Sequence, residues 1–232
     1  MSETAREEML ARIKRALKRD DRSTSLRSEG NSAQQIIRKD EPQSDLIKRF
    51  ELELTRIGSR FHIARTADAV CDYIKNLISI KQTKTIICWN APVISETGLS
   101  EQLERSDVEF ISNDDKQSEA EFINKAIGAG IGITAVDYAL ADTGTLVLIT
   151  GAGRARSVSL LPPVHVAILK PQQIIAGLDE LIPRLNASAG RDLASAITFI
   201  TGPSRTADIE LTLVVGVHGP QELYVVLLDS RE

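Results

Sequence analysis

Thr201-Gly-Pro-Ser-Arg-Thr-Ala-Asp-Ile-Glu210 is a polar stretch between apolar runs, and it indicates how the chain folds. Ala196–Ile200 precedes it, Leu211–Val217 follows it, and Leu223–Leu228 comes after the turn at Gly216–Pro220. An apolar run that stops abruptly at Gly-Pro is typical of a buried strand that ends in a tight turn. Because an α/β sheet presents ligand-binding groups at its strand ends, we expect such a fold, with a binding site near this stretch.

Strand-like and helix-like segments alternate through the earlier part of the main domain. The predicted strands are Phe61–Ala64, Thr85–Trp89 and Val108–Ile111. The predicted helices are Ser44–Ser59, one that opens at Thr66 and ends before Lys81, a weaker one over Glu96–Leu103, and Ser118–Ile127. This alternation implies βαβ units and a mostly parallel sheet with helices on both faces.

The pattern changes after Gly130. Three apolar strands, Ile131–Val136, Gly144–Ile149 and Val164–Leu169, are separated by loops too short for helical crossovers between the first two. We therefore predict hairpin or edge pairings and a mixed sheet. Pro171–Leu185 is predicted to be a helix with proline in its first turn. Its inner face would carry Ile174, Ile175, Leu178 and Leu181.

The N-terminal part of the chain has a different character. Residues 1–18 are predicted to form an amphipathic helix, opened by a capping box at Thr4 and Glu7. Residues 19–43 are rich in Ser, Asp, Glu, Arg and Gln and predict a polar linker. The main domain is expected to span residues 44–232.

Composition excludes several classes of function. The 232 residues carry a net charge of −4, which gives no general reason to bind nucleic acid or an anionic membrane. No apolar run approaches the roughly 20 residues that a membrane span needs, and no secretory signal is evident. Cys71 and Cys88 lie in apolar segments, without any CxxC motif, and are interpreted as core residues. We expect a cytoplasmic protein that holds neither a metal nor a cofactor by itself.

Asp142-Thr-Gly-Thr145 lies between two predicted strands and has two interpretations. Asp142 and Gly144 are typical hairpin-turn residues. Alternatively, the backbone N–H groups of this loop and the hydroxyls of Thr143 and Thr145 bind an anion. An aspartic-protease role is excluded because that chemistry needs two such carboxylates, and the motif occurs once.

A second segment places Arg154 and Arg156 in a Gly-rich loop, ahead of His165. The two arginines either clamp a carboxylate or phosphate or lie in a solvated loop. His165 begins an apolar strand after two prolines. A histidine there is more typical of a packed, hydrogen-bonded residue than of a catalyst.

The opening stretch is the third candidate site. Gly202, Ser204, Arg205 and Thr206 offer N–H groups, hydroxyls and a guanidinium ahead of a possible helical turn, which suits anion recognition. Three further residues follow as catalytic candidates, namely Asp208, Glu210 and His218. They support either general acid–base chemistry or a hydrogen-bonded brace.

Three ordered motifs carry a family resemblance. They are Thr134-Ala-Val-Asp-Tyr-Ala-Leu-Ala-Asp-Thr-Gly-Thr145, Ser159-Leu-Leu-Pro162 with Val164-His165, and Ile200–Glu210 with Gly216–Pro220. From about residue 45 to its end, the chain resembles the LUD domain family of lactate utilization protein C (the LutC/YkgG family).

The resemblance implies a three-layer α/β/α fold similar to the NagB/RpiA/CoA-transferase superfamily. It also implies an accessory, non-redox role in oxidising L-lactate to pyruvate, together with iron–sulfur sister proteins. A small anionic metabolite is the expected ligand, and homo-oligomerisation is left open. The alternative is an enzyme that acts on a phosphorylated or CoA-linked metabolite, as members of that superfamily do. The resemblance supplies no catalytic residue.

Overall fold

The computed structural model describes residues 9, 12, 41–104, 106–113, 118–188, 196–207, 213–215 and 219–230. The chain divides into two units, Met1–Ile37 and Arg38–Glu232. Apart from Met9 and Arg12, which are exposed helical residues, the predicted helix over 1–18 lies outside the described residues. The predicted linker over 19–43 does so as well, apart from its last three residues, and both remain predictions.

Twelve strands and seven helices make up the described part of the larger unit. The strands are β1 (Arg60–Ala64), β2 (Thr85–Trp89), β3 (Glu109–Asn113), β4 (Ile131–Ala135), β5 (Tyr138–Leu140), β6 (Thr145–Ile149), β7 (Val164–Leu169), β8 (Ile174–Ile175), β9 (Ile197–Ile200), β10 (Arg205–Ala207), β11 (Leu213–Val215) and β12 (Glu222–Leu228). The helices are α1 (Gln43–Arg56), α2 (Ala67–Lys81), α3 (Pro92–Ser95), α4 (Leu99–Leu103), α5 (Glu119–Gly128), α6 (Ser157–Leu160) and α7 (Leu178–Ser188).

A six-stranded sheet forms the centre of this unit. Its order is β1-β12-β7-β4-β2-β3, and every neighbouring pair is parallel. Every residue of β4 and β7 is buried, as expected for strands that are covered on both faces. Helix α2 packs on β1 and β12, and α6 packs on β4. The predicted α/β class and mostly parallel sheet are confirmed.

The pairing predicted after Gly130 is wrong in detail. Strands β4 and β6 do not form a hairpin; β6 pairs antiparallel with the short strand β5 and with β9. Both of these pairs belong to a second sheet of order β8-β5-β6-β9, while β4 lies inside the parallel sheet. The reason is burial: β4 is apolar on both faces and is stable only between two parallel neighbours.

The helix predicted over Pro171–Leu185 is also wrong in its first half. A 3₁₀ turn over Pro171–Gln173 leads into β8, where Ile174 and Ile175 are buried against β5. The helix starts at Leu178, after Gly177. Two adjacent β-branched residues are well suited to strand pairing, and this long-range contact overrides the proline signal.

Smaller predictions have mixed outcomes. The helix expected over Glu96–Leu103 is shorter than predicted: α4 starts at Leu99, and a turn in which Gly98 has φ +65° separates it from α3, which ends before the predicted range. Cys71 and Cys88 are buried and free of disulfides, as predicted for core residues. Within the residues described, no helix has both the length and the apolar character that a membrane crossing requires.

Candidate functional site

The structure brings together the two segments predicted to bind an anion. A chain of hydroxyls joins them: Thr143 Oγ1 donates to Thr145 Oγ1 at 2.8 Å, and Thr145 Oγ1 lies 2.8 Å from Thr201 Oγ1. Thr145 is buried, whereas Thr143 and Thr201 are exposed. We call Asp142–Thr145 together with Thr201–Thr206 the loop site.

Helix α1 supports both halves of the loop site at its C-terminal end. Gly144 has φ +65°, and a Cβ there would lie 2.5 Å from the backbone nitrogen of Leu54. Gly202 has φ +92°, and a Cβ there would lie 3.3 Å from the carbonyl oxygen of Ile57. Both glycines therefore allow their loops to approach the same helix end closely.

Arg205 binds this helix end directly. Its Nη2 donates to the Ile57 carbonyl oxygen at 3.0 Å. A cation that binds the last carbonyls of a helix is favourable, because these groups carry the negative end of the helix dipole. Arg205 is exposed, and a guanidinium has five N–H donors, so donors remain for a ligand.

The rest of the C-terminal motif is described only in part. Arg205–Ala207 is strand β10, paired antiparallel with Leu213–Val215. The helical turn expected after Thr206 falls mainly on residues 208–212, which lie outside the described residues, and stays a prediction. Ser204 N donates to Pro220 O at 2.8 Å, which joins the two turns of the sequence motif. The Thr206 side chain and the three catalytic candidates, Asp208, Glu210 and His218, lie outside the described residues.

Asp142 lies at the outer edge of the loop site. It is exposed, and its backbone nitrogen donates to Ala176 O at 3.2 Å. A Cβ on Gly177 would overlap the Asp142 carboxylate, so this carboxylate lies over the turn that precedes α7. The Asp142–Thr145 loop is thus the turn of the β5–β6 hairpin, with Gly144 N donating to Leu140 O at 3.0 Å. The turn interpretation is confirmed; its anion-binding role stays a prediction.

His165 is a core residue of the central sheet. It lies on β7 between Gly132 of β4 and Leu223 of β12, and its Nε2 is 2.8 Å from Thr134 Oγ1. Burial lowers the pKa of His165 from 6.5 to about 3, so the imidazole is neutral near pH 7. This geometry matches the packed, hydrogen-bonded histidine expected from the sequence.

Burial of His165 makes stability depend on pH. Its folded pKa lies below its ordinary value, so the unfolded chain binds the extra proton, and stability falls as pH drops below 6.5. Between pH 6.5 and pH 5, the protonation preference of His165 alone is expected to lower the free energy of unfolding by about 2 kcal/mol. In urea unfolding, the free energy of unfolding of the natural protein should therefore fall more steeply with decreasing pH than that of the His165→Gln protein. A difference in free energy of unfolding between the two proteins that does not change with pH would contradict this assignment.

The arginine loop forms part of a second site at the carboxyl edge of the central sheet. Asn90 N donates to Gly153 O at 2.9 Å, and Ala155 N donates to Asn113 Oδ1 at 2.7 Å, so the loop rests on the ends of β2 and β3. Arg154 packs over Trp89 and binds Asp137, with Nη2 2.9 and 2.8 Å from the two carboxylate oxygens. Arg154 is therefore held in place, whereas Arg156 is exposed.

A cleft of about 400 Å³ opens beside Arg154; we call it the carboxyl-edge cleft. Its polar lining residues are Asn90, Glu96, Asp137, Arg154, Lys170, Gln172 and Gln173. Only Arg154 among these was a candidate from the sequence, although a usable signal existed for three of the others: Asn90, Asp137 and Lys170 each follow within two residues of a strand. Among the described residues, no cluster of three His, Cys, Asp or Glu side chains could hold a metal.

Comparisons with known proteins cover the region that contains both sites. Residues 47–228 match the LUD domain family. The chain is 39% identical over 160 residues, 68% of each protein, to lactate utilization protein C of Halalkalibacterium halodurans. It is 34% identical over 229 residues to lactate utilization protein C of Anoxybacillus flavithermus, covering 96% of this chain and 99% of the relative. A DUF162 family protein from Deinococcus radiodurans shares the fold, with a TM-score of 0.55 and 20% identity over 82% of this chain and 99% of its own.

Proposed function

We propose, from the premise that this chain belongs to the LUD domain family, that it serves lactate utilization as a component without a redox centre of its own. One observation carries the proposal: the chain is similar over almost its whole length to a relative named lactate utilization protein C. Family membership supports the role in lactate utilization. The finer assignment, to L-lactate oxidation with iron–sulfur partner proteins, is what the family resemblance implies, and the cysteine chemistry of this chain is compatible with it.

The cysteines support placing electron transfer in partner proteins. Oxidation of L-lactate to pyruvate releases two electrons and two protons, and an iron–sulfur cluster that accepts electrons is usually held by four thiolates. The chain has two cysteines, and both are buried. Burial raises the pKa of both thiols, that of Cys88 to about 12, so neither is a ready thiolate ligand. We therefore propose that partner proteins receive the electrons; the family resemblance implies that these are iron–sulfur proteins.

The loop site is proposed to bind a small carboxylate, such as L-lactate or pyruvate. Thr143, Thr201 and Arg205 are exposed residues, and the guanidinium of Arg205 contacts the helix end that supports both loops. A guanidinium with adjacent hydroxyls can bind a carboxylate through charge-assisted hydrogen bonds. The joining of the two loops by Thr145 supports this assignment, because a ligand can then contact both.

Reconstitution tests the proposed role. The chain is purified alone and with the iron–sulfur proteins of lactate oxidation, and L-lactate-dependent reduction of an artificial electron acceptor is followed. We expect no reduction by the chain alone and faster reduction when it joins its partners. Lactate oxidation by the isolated chain, or a rate from the partners that is unchanged by adding it, would overturn the proposal.

Arg205→Ala is expected to weaken binding of L-lactate and pyruvate about tenfold, since one charge-assisted interaction is removed. Isothermal titration calorimetry measures the affinity. Arg56→Ala is the matched control, because Arg56 lies on the same helix end and pairs with Glu53 at 2.6 Å. If Arg205→Ala binds both acids as tightly as the Arg56→Ala protein, the loop site is not the anion site.

A further inference from the structure

The carboxyl-edge cleft lies where the order of the central strands reverses. Strands β2 and β4 are neighbours in the sheet. After β2 the chain continues to β3, on the far side of β2, whereas the next strand of this sheet after β4 is β7, on the far side of β4. In open α/β sheets, the loops that follow two such strands separate and leave a crevice that binds ligands. Here Asn90 follows β2 and Asp137 follows β4, and both line the cleft.

Arg154 forms one wall of the cleft and is fixed before any ligand arrives. Its guanidinium carbon lies 4.6 Å from the centroid of the Trp89 ring, and Trp89 Nε1 donates to Ala155 O at 2.8 Å. Asp137 is fixed in turn, because its carboxylate also accepts a hydrogen bond from Ile149 N at 2.7 Å. Pre-organised groups of this kind lose little freedom on binding.

The Arg154 side chain retains a donor that the protein does not use. Asp137 engages Nη2 alone, whereas Nε is shielded from solvent and has no hydrogen-bond partner among the described residues. A guanidinium has five N–H donors, so the accessible donors that Asp137 does not engage remain for an oxygen of a bound anion. These remaining donors, held in place beside the cleft, point to an anionic ligand.

A second ion pair lines the cleft. Lys170 Nζ lies 2.6 Å from a carboxylate oxygen of Glu96, and both side chains are half exposed. Exposed pairs of this type are weak and open readily, so each partner can turn to a ligand. The Lys170 backbone is anchored, since its nitrogen donates to Gln173 Oε1 at 2.6 Å.

We propose that the carboxyl-edge cleft binds a polyhydroxylated organic anion. Each ion pair offers one cation and one carboxylate, so a bare anion would satisfy the cations but leave Asp137 and Glu96 next to like charge. A ligand with an anionic group for Arg154 and hydroxyl donors for the two carboxylates satisfies both kinds of group. The volume of about 400 Å³ suits a metabolite larger than a three-carbon acid.

This chemistry is shared by sugar acids and sugar phosphates. The cleft and the loop site have no residue in common, so the inference does not depend on the proposed lactate role. Calorimetry with gluconate, glucose 6-phosphate, hexanoate and inorganic phosphate distinguishes binding of sugar acids from binding of sugar phosphates. We expect gluconate to bind at least about tenfold tighter than hexanoate, or glucose 6-phosphate at least about tenfold tighter than phosphate, because a site built for hydroxyls rejects analogues that lack them.

Variants assign the binding to named groups. Arg154→Lys is expected to weaken binding of the preferred probe about tenfold, because a lysine ammonium lacks the planar set of donors of a guanidinium. Asp137→Asn keeps an acceptor for Ile149 N but should reduce the preference for the hydroxylated probe. Lys170→Ala, at an exposed pair, leaves the core intact and is expected to weaken binding severalfold. Arg156→Ala and Arg205→Ala, which alter residues outside the cleft, should bind like the natural protein.

The inference fails on any of three results. None of the four probes binds; the hydroxylated probes bind no tighter than their analogues; or the affinity for the preferred probe is unchanged in Lys170→Ala and in a folded Arg154→Lys protein. Should Arg154→Lys not fold, the Lys170→Ala titration alone decides the outcome. Because Arg205→Ala is titrated in parallel, failure of the loop site and failure of the cleft are distinguishable.

Discussion

Gly144→Ala is expected to lower the free energy of unfolding by about 3 kcal/mol or more. Two penalties combine at this position. Its φ of +65° costs an L-residue about 1 kcal/mol. A Cβ would also lie 2.5 Å from Leu54 N and 2.8 Å from Glu53 C, which are backbone atoms of α1 that cannot rotate away. Overpacking of this kind typically adds about 1–3 kcal/mol.

Gly144→Ala should weaken ligand binding at the loop site as well as lower stability. Moving the β5–β6 turn away from α1 strains the hydrogen bond between Thr145 and Thr201, so L-lactate affinity should fall together with the urea midpoint. Gly151→Ala is the matched control: Gly151 lies in the loop at the other end of β6, and a Cβ there meets nothing within 4 Å. Equal urea midpoints for the two variants would show that the Gly144 contact with α1 is not important for stability.

Several elements of the fold could be predicted from local sequence. The bounds of Thr85–Trp89 and Val164–Leu169 are as predicted, because each is a compact apolar run closed by proline or a polar turn. The N-cap at Thr66 is also as predicted, with Thr66 Oγ1 accepting from Ala69 N at 3.2 Å. These features depend on neighbours within a few residues, which a sequence displays directly.

Long-range pairing explains what could not be predicted. Ile174 and Ile175 pair with Ala139 and Leu140, some 35 residues earlier, and this contact decides between strand and helix. The same holds at the loop site, where Thr145 and Thr201 are 56 residues apart in sequence. Residue types suggested that each loop could bind an anion, but only the packing of both against α1 shows that they adjoin.

The carboxyl-edge cleft is an intermediate case. Its residues follow strands that were predicted, so the rule that parallel strands present polar groups at their carboxyl ends would have selected Asp137 and Lys170. What the sequence lacked was the strand order. Without knowing that β4 lies between β2 and β7, the three loops could not be assigned to one edge of one sheet.

Close packing of α6 on the sheet depends on Gly132. A Cβ there would overlap the carbonyl oxygen of Val158 and lie 3.0 Å from Pro162 Cγ. Val158 belongs to α6 and is fully buried. Helix α6 directly follows the loop that carries Arg154. Because Gly132 has no side chain, α6 can pack closely on the sheet, and this loop then lies over Trp89.

Gly132→Ala is therefore expected to destabilise the protein by about 3 kcal/mol, the upper part of the range for overpacked cores. Gly128→Ala is the matched control: it ends α5, a Cβ there meets nothing within 4 Å, and alanine favours a helix by about 0.5–1 kcal/mol. Trp89 is the only tryptophan, so its fluorescence reports unfolding next to the cleft. We expect the urea midpoint to fall for Gly132→Ala and to hold or rise for Gly128→Ala. If both variants unfold at the midpoint of the natural protein, α6 can shift without cost, and the position of Arg154 does not depend on this contact.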